Sequence, residues 1–147
     1  MGRESTDPTV IRSVAVTAED VVTAVESRHQ RDERVVLRVT PPFSGRMRAR
    51  LHVPASAADR DADPNSGAVH IDPTALVDTS APAYPRPAET EDELRADPDV
   101  EYTVERHHER HHRALAAWRD RLADHVVDEV TAETAEGTIT VDVSVLG

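Results

Sequence analysis

The chain contains no cysteine and no lysine; its 17 basic residues are all arginine, set against 28 Asp and Glu for a formal charge of -11 over 147 residues. Without cysteine there is no disulfide, no thiolate-bound zinc, no iron–sulfur cluster and no thiol nucleophile. Any metal must be held by His, Asp or Glu. Aromatic residues are only 3% of the chain, namely Phe43, Tyr84, Tyr102 and Trp118, so the core is expected to be thin and aliphatic, with no aromatic platform for stacking bases. Five glycines leave no Gly-rich phosphate loop, and no G-x-S-x-G elbow occurs. No apolar run approaches the roughly 20 residues of a membrane helix or the roughly 7–15 of a signal-peptide core. The expected setting is the cytoplasm, with no membrane partner.

What remains is rich in valine, alanine, arginine and carboxylates. The length predicts a single domain, about 100 to 200 residues being the usual size. Residues 10–16 read as a strand, and Thr17 is a good N-cap for a helix to about residue 29, with Glu19 and Asp20 favouring its positive end. Ala18, Val21, Val22 and Val25 form its apolar stripe. Period two returns over residues 34–40 and 45–53, around the turn Pro41-Pro42-Phe43-Ser44-Gly45. A hairpin register that sets Val39 against Met47, Leu37 against Ala49 and Val35 against Leu51 makes one side wholly apolar.

Residues 55–66 read as an acidic loop and 68–72 as a short strand. Residues 73–101 are Pro-rich and acidic, a linker or covering loop inside the domain, pinned locally by Leu76, Val77 and Leu94. Thr103 caps a long helix to about residue 126 with Leu115, Trp118, Leu122 and Val126 on its stripe, and a second hairpin follows, in which Ala132 faces Val141. The N-terminal residues 1–9 are expected to be flexible. The order βαβββ, linker, αββ predicts an α+β domain over residues 1–147: a mostly antiparallel sheet of five to six strands with two helices packed on one face.

The acidic, lysine-free composition resembles that of proteins from halophilic archaea. The run VVLRVTPPFSGRMRARLHV, followed by an acidic loop and a terminal helix and hairpin, is similar to small acidic haloarchaeal proteins. The resemblance implies a milieu of high KCl and carries no activity with it.

Three constellations bear on function. Between Arg28 and Arg50 stand seven arginines with only Asp32 and Glu33 as acids. The hairpin pattern turns Arg34, Arg38, Arg46, Arg48, Arg50 and His52 to one face, where like charges in register are unfavourable unless neutralised. Solvent or carboxylates folded over the face are the first expectation, a protein partner the second, and nucleic acid or another phosphate ligand the third. The second constellation is Glu105-Arg106-His107-His108-Glu109-Arg110-His111-His112-Arg113. His108 and His112 with Glu109 match H-E-x-x-H, and His107 with His111 and His108 with His112 are i,i+4 pairs suited to a divalent metal. Arg110 and Arg113 depart from the metalloprotease pattern and no third ligand follows, so a solvated helix start is the plainer expectation. The third is the carboxylate set Glu129, Glu133 and Asp142, read as ordinary surface.

The functional expectation is a small non-catalytic module that binds a macromolecule, protein ahead of nucleic acid, through the arginine face. No cofactor is expected beyond the metal option. Two alternatives stand beside it: a His/carboxylate metal-dependent hydrolase centred on His108 and His112, and a purely structural or oligomerisation protein.

Overall fold

The computed structural model describes residues 5–31, 34–53 and 67–146. Strand β1 (Ser13–Thr17) runs directly into helix α1 (Ala18–Arg31), as the capping pattern predicts: the Asp20 N–H donates to Thr17 Oγ1 at 3.1 Å. Helix α1 buries Val21, Val22, Ala24 and Val25. There follow β2 (Val36–Val39), β3 (Arg46–Arg48), β4 (Arg50–His52), β5 (Val69–Ile71), a 3-10 turn (Pro73–Leu76), α2 (Pro87–Ala96), α3 (Val104–Ala123), β6 (Glu129–Thr134) and β7 (Gly137–Leu146).

The fold is α+β, but among the described residues it has three helices and two sheets rather than two helices on one sheet. A four-stranded sheet has the order β3-β1-β7-β6, and a three-stranded sheet the order β4-β2-β5. The division falls at Ala49, a fully buried residue whose N–H donates to Ala15 O at 2.9 Å and so closes the pairing with β1. Residues on its far side pair with β2 instead. One bent ribbon, 46–52, therefore belongs to both sheets, and both contribute to a single core with α1, Trp118 and Leu122. Strand β5 lies beside β6.

Strand β1 is parallel to both neighbours, β3 and β7. The chain between β1 and β3, with α1 and β2, is long enough for the crossover that parallel pairing needs. That pairing lies outside the mostly antiparallel expectation, because local periodicity carries no information on which distant strands meet.

Both hairpin registers differ from the expected ones by two residues. Leu37 faces Leu51, not Ala49, and Arg38 faces Arg50, not Arg48. Ala132 faces Ile139, not Val141, and Val130 faces Val141. A shift of two preserves which face each side chain occupies, so burial pattern alone cannot distinguish the alternatives. The second register is set by the turn: Thr134 pairs with Gly137, which takes φ +106°, and Thr134 Oγ1 donates to Gly137 O at 2.6 Å.

The segment 73–101, expected as a linker or covering loop, contains the ten-residue helix α2. Pro87 opens it and Glu89 stands in its first turn, but only Thr90 and Leu94 are buried. Two buried positions one turn apart are too short a stripe to read against so acidic a background. Ahead of α2, residues 77–86 lie over α1 and α3. Trp118 Nε1 donates to Pro82 O at 3.1 Å, and Tyr84 stacks on His29 at 4.6 Å and meets Trp118 edge-on at 4.8 Å. Beneath them Arg119 grips Glu26 through two hydrogen bonds, Nε to Oε1 at 2.9 Å and NH2 to Oε2 at 2.8 Å. This bond is the main reason the Arg119 guanidinium is held even more firmly in its charged form.

Within the N-terminal region expected to be flexible, Ser5 bridges Phe43 and Pro8–Val10 form a 3-10 turn capped by Asp7. Phe43 is wholly buried, so the proline turn folds inward onto the core. The expected acidic loop over 55–66 and residues 1–4 lie outside the described residues. Among the described residues no helix is long and apolar enough to cross a membrane.

Candidate functional site

The alternation of the bent ribbon turns Met47 and Ala49 toward the core and leaves Arg46, Arg48, Arg50 and His52 on the outer side. The predicted arginine face is therefore assembled, although on two sheets. On the four-stranded sheet Arg46 stands beside Ser13 and Arg48 beside Ala15. On the three-stranded sheet Arg50 faces Arg38, Arg38 faces His70 on its other side, and Val36 faces His52. Arg34 is exposed just ahead of β2. His70 belongs to this group as well, beyond the residues that the hairpin pattern predicts. Its signal, an outward position between Val69 and Ile71, was present but could not be tied to β2 without the pairing.

Among the described residues, none of Arg34, Arg38, Arg46, Arg48 and Arg50 has a carboxylate oxygen within 4.0 Å, whereas Arg28, Arg95, Arg110, Arg113 and Arg119 each do. The Nε atoms of Arg38 and Arg48 are buried with no hydrogen-bond partner. An N–H that has lost water without gaining an acceptor is costly, and directly opposed like charges add to that cost. Burial, then Arg38, then His52 hold the His70 imidazole below the usual histidine range. The His52 and His70 rings are 5.7 Å apart. Chemically, the face offers planar guanidinium forks and imidazole N–H groups, all donors, to an oxyanion.

The four histidines of the predicted metal set divide between two environments. His107 and His111 dock α2 onto α3: His107 Nε2 donates to Pro87 O at 2.9 Å, and His111 Nδ1 shares a 3.0 Å hydrogen bond with Thr90 Oγ1. Burial first, then His107 and His108, depress the His111 pKa. His108 and His112 are exposed, and Glu109, the residue between them in H-E-x-x-H, pairs with Arg113 at 3.6 Å. Among the described residues no three His, Asp or Glu side chains converge on a point that suits a metal.

One arrangement has the composition of a catalytic triad. Asp78 Oδ1 accepts from Ser80 Oγ at 2.7 Å and lies 3.0 Å from His125 Nδ1. Ser80 Oγ, however, is 3.5 Å from that same ring nitrogen and bonded to the carboxylate. A nucleophile must stand on the ring nitrogen remote from the carboxylate. The arrangement is instead a turn cap that ties residues 78–80 to the end of α3. A groove of about 230 Å³ between residues 82–86, α2 and α3 is lined by none of the predicted site residues.

No curated protein and no solved structure matches the chain. A family model matches it over residues 1–147, and the chain belongs to that family, described as a domain of unknown function (DUF8009).

Proposed function

We propose that this protein is a non-catalytic binding module whose arginine face takes an acidic or phosphate-bearing protein partner. The observation that carries the reading is the pairing of Arg38 with Arg50 in register, with no carboxylate within 4.0 Å of either among the described residues, on a chain of net charge -11. Carboxylates are plentiful in the sequence, yet among the described residues none reaches these guanidiniums, which supports recognition of an outside anion. One feature favours protein over nucleic acid: none of the four aromatic residues is outward on this face, since Phe43 is buried, Tyr84 and Trp118 pack together, and Tyr102 lies under Arg95. The composition supports a setting in a cytoplasm of high KCl, where long-range attraction is screened and short bidentate bonds carry recognition.

The test is recovery of partners from a lysate held in molar KCl, comparing the native chain with the Arg48→Gln/Arg50→Gln double variant and with nuclease added to a parallel sample. Loss of a nuclease-resistant protein in the folded variant supports the reading. Unchanged recovery overturns it.

A further inference from the structure

The outward face of the three-stranded sheet carries a lateral row in which Arg50, Arg38 and His70 follow one another across β4, β2 and β5. Neighbouring strands are about 4.8 Å apart, so these three head groups originate within about 10 Å of one another. His52 flanks the row, its ring 5.7 Å from that of His70. Among the described residues no side-chain hydrogen bond or ion pair joins any of the four to a partner, and Arg38 Nε is buried without an acceptor.

We infer that this row is a binding site for a phosphate monoester group, its oxygens held by Arg38 and Arg50 with His70 and His52 donating from the flank. The inference rests on the reading that this face takes an anion, and it names which anion. A monoester brings about -1.5 to -2 charges and three acceptor oxygens to one point, which matches several donors gathered in one row. A phosphodiester offers one charge and two free oxygens per unit and must spread its contacts along a strand. That strand would meet the opposite sign on the neighbouring sheet, where the row from Arg46 through Ser13 ends at Asp142 and Glu129. A carboxylate lacks the third oxygen.

The imidazoles add a proton to the binding event. His70 is faced by Arg38 from β2 and by the His52 ring from β4, with Arg50 one strand beyond Arg38, while β6, beside β5, bears exposed Glu129 and Glu133. In the free protein burial and the nearby cations favour its neutral form. An arriving dianion reverses the local sign and draws a proton onto the ring, making it a third charged donor beside Arg38 and Arg50.

The experiment follows the imidazole NMR signals of the full chain in 0.15 M KCl at pH 7. The probes are inorganic phosphate, a phosphoserine peptide, its unphosphorylated and glutamate-substituted forms, and a short single-stranded DNA blocked at both ends so that it holds only diesters. The expected result is saturable movement of the His52 and His70 signals with phosphate and with the phosphoserine peptide, and a rise in the His70 titration midpoint. Binding should weaken at least tenfold in Arg38→Gln and in Arg50→Gln, each shown to fold by an unchanged Trp118 environment. Tighter binding of the phosphopeptide than of free phosphate assigns the group to a protein; equal binding assigns it to a free phosphate compound. Failure of both phosphate probes to move His52 and His70 overturns the inference, as does preference for the diester. In that case binding by the glutamate peptide leaves the anion reading standing, and no binding by any probe removes both.

Discussion

His70 and His111 occupy similar electrostatic situations, each partly buried and each beside other cationic or protonatable side chains. Both are pushed toward the neutral form, so between their folded and unfolded pKa values the unfolded chain holds more protons. Stability then rises with pH across that window. Their contribution is present above about pH 6.5, the ordinary histidine value, and is lost as pH falls through the depressed values. Asp72 and Asp78 act at lower pH. Burial raises the Asp72 pKa, but the hydrogen bonds from Thr74 and the Arg28 charge outweigh it; Ser80 and His125 lower that of Asp78. Their stabilisation is complete above about pH 4 and disappears below it. The thermal midpoint is therefore expected to fall between pH 7.5 and 5.5, and the His70→Gln/His111→Gln variant should lose most of that slope while still unfolding below pH 4. A midpoint flat from pH 7.5 to 5.5 in the native chain would contradict the assignment of both rings.

At the scale of elements, the parts legible in the sequence were those with a local chemical signature. Thr17 and Thr103 both cap the helices they were expected to cap, through bonds to Asp20 N–H and Arg106 N–H at 3.1 Å each. The outward set Arg38, Arg46, Arg48, Arg50 and His52 followed from period two. What escaped were relations between distant segments: the parallel pairing of β1, the split at Ala49, and the arrival of His70 next to Arg38. Helix α2 escaped for another reason, since Leu94 and Thr90 are its only buried residues and its order comes from docking. It is held on α3 by His107, His111 and the Arg110–Asp97 pair at 3.4 Å, and its Arg95 lies 3.8 Å over the Tyr102 ring. A helix of ten residues is marginal by itself. Leu94→Ala should therefore cost about 2–5 kcal/mol if α2 unfolds with the core, and less if it detaches first. The second outcome is expected, because Leu94 lies outside the main core cluster. Limited proteolysis should cut Leu94→Ala within residues 87–96 while Trp118 fluorescence still reports a folded core; cleavage appearing only upon global unfolding would make α2 part of the core.

At the scale of the whole molecule, two repulsions of opposite sign coexist: the excess of carboxylates, which gives -11 overall, and the local crowding of arginines at the junction of the sheets. Among the described residues no ion pair joins a carboxylate to Arg34, Arg38, Arg46, Arg48 or Arg50. Salt screens both, the Debye length shrinking from about 10 Å at 0.1 M to about 3 Å at 1 M. The urea midpoint is therefore expected to rise from 0.1 to 2 M KCl. A general salt effect on apolar burial would produce the same rise, so the informative comparison is with Arg50→Gln. Removing one member of the opposed pair should stabilise the free protein by about 0.2–1 kcal/mol at low salt, the usual range for a cross-strand pair. The gain should vanish at 2 M KCl, where the native pair is already screened. If Arg50→Gln is instead destabilising at low salt, the guanidinium has an internal counter-ion. The strain that an outside anion is proposed to relieve would then be absent.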